Sequence, residues 1–283
     1  MKSVSQRLPA ALMIGILSVA GCGSGRVVLP FTLDASTITI PQTTHEFVTT
    51  EDAIRGISAI LVRDLALPLP HTFTAYVYSD RHGFERGLID DANVAPVRAA
   101  ELSEFAVGIG KRRQLLLNDE SGTARGREWY RLIAHELAHV SQIEMAQGEG
   151  RAEQWLAEGM AEWVAFNVLE RLGLDTVTNR RQMAVAGIRN HAALVAARLD
   201  LETLGNPRGF TVRHLREGSL PTYQLAFLMA DYLIERDGFA RVVTYFRSFE
   251  RKQDRHANFK ETFGQSLEQF EREVLGHLKT IVR

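Results

Sequence analysis

Two stretches constrain this chain more than any others: "AHELAHV" at 134–140 and "EQWLAEGMAEW" at 153–163. Residues four apart in an α-helix lie on one face. His135 and His139 therefore point the same way from one helix, and Glu158 and Glu162 the same way from the next. The two carboxylates sit among Trp155, Leu156, Met160 and Trp163, where burial is costly unless each is paired, hydrogen-bonded or bound to an ion. Ala157, Gly159 and Ala161 are small enough to let the two helices pack closely. Two imidazoles can hold one metal ion, but an ion that keeps an open position for water needs three protein ligands. A metal-bound Glu158 and a hydrogen-bonded Glu162 would supply the third and account for both carboxylates. Glu136, one step round from His135, can reach water on such an ion without being a ligand.

The rest of the chain reads as strands first and helices later. "TITIPQTTHEFVTT" (37–50) alternates weakly and is broken by Pro41, which predicts short strands or an edge strand. Ile54, Ile57, Ile60, Leu61 and Leu65 recur at helical spacing between Glu51 and Leu67, and Pro68 and Pro70 follow. "TFTAYVY" (72–78) has the content of a buried strand. Asp80 to Ile89 predicts a short helix. "FAVGIGKRRQLLLN" (105–118) predicts two strands around a turn near Gly110-Lys111, or one long bent strand. Helical periods then run through 127–147, 152–172, 179–199, 221–236, 238–250 and 265–281, with Gly173, Gly205-Asn206-Pro207 and Gly218 as punctuation. This order predicts an α+β fold: a mixed or antiparallel sheet with helices over 31–120, then a mostly helical part over 121–283. The chain's 283 residues, 45% apolar, can bury a real core. A net charge of −1 excludes a broad basic surface, so no nucleic-acid partner is expected.

The start of the chain is set apart from this fold. Lys2 and Arg7 precede an apolar run over 10–20, too short to span a bilayer comfortably and suited to an export signal. "VAGC" ends at Cys22, the sole cysteine. Small residues before a lone cysteine resemble the lipobox of bacterial lipoproteins; the plainer alternative is a secretion signal with an incidental cysteine. The resemblance implies removal of signal peptide 1–21 and acylation of Cys22, which would anchor the chain to a membrane of the cell envelope. Gly23, in place of the aspartate that often marks inner-membrane retention, points to the outer membrane, facing the periplasm. Residues 22–30 are expected to be a tether. Loss of Lys2 and Arg7 leaves 31 basic against 34 acidic side chains. With no second cysteine, stability cannot come from disulfides within the chain.

HExxH followed after eighteen residues by the glutamate of "WLAEGMAEW" resembles the gluzincin metallopeptidases. The likeness is nearest to the aminopeptidase N type and to bacterial peptidase MA-like domains, and thermolysin shares the logic. It implies a zincin-like metallopeptidase fold with one zinc ion held by His135, His139 and Glu158. Glu136 would be the general base. Glu162 matches the outer carboxylate that orients a ligand histidine, a position often held by aspartate in thermolysin-like members. Tyr223, 84 residues past His139, matches the tyrosine that polarises the substrate carbonyl in the aminopeptidase N type. His214 is the thermolysin-like alternative. Strand 105–118 stands where gluzincins keep the edge strand that pairs with extended peptide.

The implied substrate is a peptide or protein. The glycine–small–methionine–glutamate–asparagine motif that grips a free amine in aminopeptidases does not occur between Glu101 and Glu128. This favours an endopeptidase, or a narrow-specificity peptidase of the cell envelope. A different class of function stands beside it: a lipid-anchored, non-catalytic binding or assembly factor with structural zinc on the same scaffold.

Overall fold

In a computed structural model, residues 25–34, 38–120 and 126–283 are described. Cys22 and the signal segment 1–21 lie outside them. The architecture is mixed α+β, with a four-stranded sheet followed by a long helical part.

The sheet is built around β2 (Thr72–Tyr78), whose residues alternate between two faces. Phe73, Ala75 and Val77 join the main core beneath the helical half. Tyr78 joins a smaller core with Phe84, Leu88 and Ala99. That second core is roofed by α2 (Arg81–Asp90) and α3 (Pro96–Ser103). β1 (Arg26–Thr32) pairs antiparallel with β2, from Arg26 opposite Tyr78 to Thr32 opposite Thr72. β4 (Gln114–Asn118) runs parallel to β2 on its other side. β3 (Gly108–Lys111) closes the hairpin with β4 and forms the second edge. Two strands form rather than one bent strand, but the turn falls at Arg112-Arg113, where Arg113 is left-handed (φ 58°), and not at the expected Gly110-Lys111, which belong to β3.

Several sequence expectations need correction. From Arg26 onward the presumed tether of 22–30 is strand β1. Its side chains are mostly exposed, so periodicity gives no sign of it, and the pairing with β2 makes it a strand. Residues 38–50 form no strand. Gln42 and Thr43 donate their N–H groups to Glu46 Oε1 at 2.7 and 3.2 Å, and this local capping winds Thr44–Glu46 into a single 3-10 turn. α1 starts at Thr50 behind the Thr49–Asp52 capping box and ends at Arg63, short of the expected Leu67.

The helical half is organised by α4 (Arg127–Ala146), which packs against β3, β4, α1 and α5 (Gln154–Arg171). α4 is buried on most of its circumference. The expected helix over 179–199 is two: α6 (Val177–Ile188) and the short α7 (Ala192–Val195). His191 makes the break, because its Nδ1 accepts from Ala193 N at 3.1 Å and caps α7. After the short α8 (Leu201–Leu204) comes α9 (Pro207–Glu217). Asn206 and Pro207, read as punctuation, are the cap and first residue of α9: Asn206 Oδ1 accepts from Arg208 N and Gly209 N. α10 (Ser219–Asp237) packs on α5. A Cβ on Gly159 would stand 2.2 Å from Ala226 O, so this glycine lets α10 approach α5 rather than seating α5 on α4. α11 (Phe239–Ser248), α12 (Arg255–Phe263) and α13 (Leu267–Ile281) complete the fold. Trp155 of α5, fully buried, stacks on Phe270 of α13 at 5.4 Å. Among the described residues no helix is long and apolar enough to cross a membrane.

Candidate metal centre

The inner faces of α4 and α5 bring three ligand atoms together. His135 Nε2 and His139 Nε2 are 3.1 Å apart, and each lies 3.3 Å from Glu158 Oε2. This group could hold a metal ion. The two imidazole nitrogens at 3.1 Å can coexist only with a proton or a cation beside them. Glu158 Oε2 is buried and accepts no hydrogen bond within the protein. Such an oxygen is costly to bury alone and fits an ion as its partner.

The second polar atom of each of the three residues is held by a different neighbour. His135 Nδ1 is 3.2 Å from Glu162 Oε1, a close ionic contact rather than an aligned hydrogen bond. Glu162 in turn accepts from Arg131 Nη1 at 2.6 Å, and Arg131 Nε donates to Glu128 at 2.9 Å. His139 Nδ1 donates to Gln142 Oε1 at 2.9 Å. Glu158 Oε1 accepts from Gln154 Nε2 at 2.7 Å. Partners of this kind fix ring angle, tautomer and carboxylate orientation around a metal.

The electrostatics of the site favour positive charge between the ligands. Burial alone would lower the pKa of His135, but its contacts with Glu158 and Glu162 outweigh this and raise it to about 10. Burial opposes charge on His139 too, and Glu158 again prevails, so its pKa is raised. Burial would raise Glu158, but His139 and His135 hold it well below the usual carboxylate range. Arg131 and His135 overcome burial likewise at Glu162 and bring it to about 2.

Glu136 stands beside this triangle without joining it. Its Oε2 accepts from Gly110 N at 2.7 Å. Edge strand β3 makes this possible by coming unusually close to α4. A Cβ on Gly110 would lie 2.2 Å from Glu136 O, and one on Gly108 would lie 2.8 Å from Glu136 Cγ. Only glycine permits that approach.

Tyr223, half-buried in the second turn of α10, has its ring 6.0 Å from that of His135. Burial and the charges of Glu158, Glu136 and Glu162 raise its pKa well above the ordinary value, so the hydroxyl stays a donor. His214 of α9 packs 5.7 Å from Tyr223 and 4.7 Å from Phe105, and burial lowers its pKa, leaving the ring neutral near pH 7.

Two cavities of about 320 and 340 Å³ meet at the centre, sharing Phe105, Ala106, Gly108, His135, His214 and Tyr223. Glu136, His139 and Glu158 line the first, together with Lys111 and Arg151. The second is walled by Leu132, Phe166, Met183, Leu220 and Phe227. An extended ligand could lie across both.

The structure thus brings together His135, Glu136, His139, Glu158, Glu162, Tyr223 and His214, whereas Cys22 lies outside the described residues. Sequence reasoning missed Gln142, Gln154, Arg131 and the two β3 glycines. Gln142 is three residues past His139 and Gln154 four before Glu158, so helical spacing alone could have flagged both. Neither a family model, nor a curated protein, nor a solved structure matches this chain.

Proposed function

We propose that this chain is a zinc-dependent peptidase of zincin-like fold that hydrolyses peptide bonds. The observation carrying this reading is the convergence of His135, His139 and Glu158 beside a second buried carboxylate, Glu136, that is not a ligand. The tie to Gly110 N–H engages one oxygen of Glu136, and a site that only held an ion would need no proton acceptor at the other.

The donor set supports zinc. Two imidazole nitrogens and one carboxylate oxygen suit a borderline ion, whereas calcium and magnesium favour oxygen ligands. Zinc bonds of about 2.0–2.1 Å at tetrahedral angles space their ligands by about 3.3–3.4 Å. The edges of the triangle here are 3.1, 3.3 and 3.3 Å. When bound, zinc supplies a Lewis acid and lowers the pKa of a coordinated water to about 7.

The chain's own residues carry the remaining steps. Gly110 N–H holds one oxygen of Glu136, which leaves the other to take a proton from the attacking water and pass it to the departing amine. Tyr223 donates to the oxygen on which charge develops, since its hydroxyl stays protonated beside three carboxylates. The two joined cavities receive the chain on either side of the scissile bond, as an endopeptidase or narrow-specificity peptidase requires. Acylation at Cys22 would place this activity at a membrane of the cell envelope.

Digestion of a peptide library tests the reading. We expect cleavage by the zinc-loaded protein, its loss on chelation and its return when zinc is restored; a zinc-loaded protein that cleaves nothing would favour a binding role. Replacing Tyr223 by Phe should lower kcat by about 10²–10³-fold with zinc content unchanged. A full-rate Tyr223→Phe enzyme paired with a crippled His214→Leu enzyme would move the donor role to His214.

A further inference from the structure

We infer that Gln142 is a positioning residue of the metal centre, which sets the tautomer and ring angle of His139 through an amide that is itself oriented by the neighbouring ligand helix. The inference rests on the metal reading above and adds a residue to it.

Gln142 is 4% exposed, so its amide must find partners inside the protein. One end lies 2.9 Å from Ala157 O and the other 2.9 Å from His139 Nδ1. The two ends of a carboxamide have nearly the same shape, and chemistry must tell them apart. Ala157 O can only accept, so the end facing it is the NH₂ group. The end facing His139 is then the carbonyl, which also can only accept. His139 Nδ1 must therefore carry hydrogen. A neutral imidazole carries one N–H, so the Nε2 lone pair of His139 is left pointing at Glu158 Oε2 and His135 Nε2. That is the tautomer a metal ion needs.

Ala157 immediately precedes Glu158 on α5. Gln142 thus runs from one ligand's ring to the backbone beside another ligand, across the gap between α4 and α5. It also differs from the partner of His135. Glu162 brings a charge that Arg131 must balance, whereas Gln142 orients His139 without adding charge.

Three proteins test this: wild type, Gln142→Leu and Gln142→Glu. Zinc affinity is measured by competition with a chromophoric chelator at fixed pH, beside the melting temperature of each metal-free form. Leucine fills the space and accepts nothing, so zinc affinity should fall by about 10–100-fold, while the metal-free melting temperature stays near that of wild type. Glutamate keeps an acceptor for Nδ1–H but turns an oxygen instead of an N–H towards Ala157 O, so zinc affinity should be regained by about tenfold over the leucine variant while the metal-free melting temperature falls below that of wild type. Wild-type affinity in the leucine variant would overturn the inference. So would equal weakening of both variants with a matching drop in metal-free melting temperature, which is the mark of simple packing. A wild-type protein that takes up no zinc would overturn the metal reading itself, and this inference with it.

Discussion

Glu136→Gln is expected to lower peptide hydrolysis by about 10²–10⁴-fold while zinc content remains that of the wild type. Glutamine has the shape of glutamate, and its carbonyl can still accept from Gly110 N–H, so the 2.7 Å tie to β3 survives the change. Only the ability to take up and release a proton is removed. Glu136 also lies outside the ligand triangle, so the ion keeps all three of its protein donors. Digestion of a peptide library followed by mass spectrometry reads the cleavage, and metal analysis of the same samples reads the zinc. Equal cleavage by both forms would take the base role away from Glu136. Loss of zinc alongside activity would make Glu136 part of what holds the ion.

Glu158→Ala should act on the other half of the site and empty it. Binding free energies on the order of 10 kcal/mol, shared among three protein ligands, give each about 3 kcal/mol, or more than a hundred-fold in affinity. The electrostatic loss adds to this. Glu158 lies 3.3 Å from each ligand imidazole, and without it an incoming cation loses the carboxylate that both rings share. Zinc per chain after dialysis against a weak chelator should fall from near stoichiometric to near zero, with circular dichroism confirming a folded protein. A variant that retained full stoichiometry would place the third ligand elsewhere and undo the triangle. The two variants separate binding from chemistry: one keeps the ion and loses turnover, the other loses the ion.

The site was legible to very different degrees in its parts. His135, His139 and Glu158 could be read because each pair four apart on a helix shares a face whatever surrounds it. Glu136 followed from the same geometry. The coupling of Glu162 to Arg131, and of Gln142 to Ala157, could not be read, because each contact crosses from α4 to α5. Gly108 and Gly110 looked like turn residues in a strand; the nearness of Glu136 is what requires glycine there. In the fold, β2 and α13 carry strong apolar periodicity and were placed within a residue or two. β1 has little burial of its own, and α8 (four residues), α9 and α12 are short helices whose starts depend on caps such as Asn206 and Asp254.

By itself the sequence determined the helices that carry the ligands, the faces those ligands share, and the strand-then-helix order that makes the fold α+β. These follow from backbone geometry and apolar period, which are local. Only the tertiary structure decided that Gly159 opens α5 to α10 rather than to α4, that β3 presses its glycines against Glu136, and that the two cavities meet at Tyr223 and His214. Those depend on how far apart packed elements settle, and that distance is set by every side chain in the interface at once.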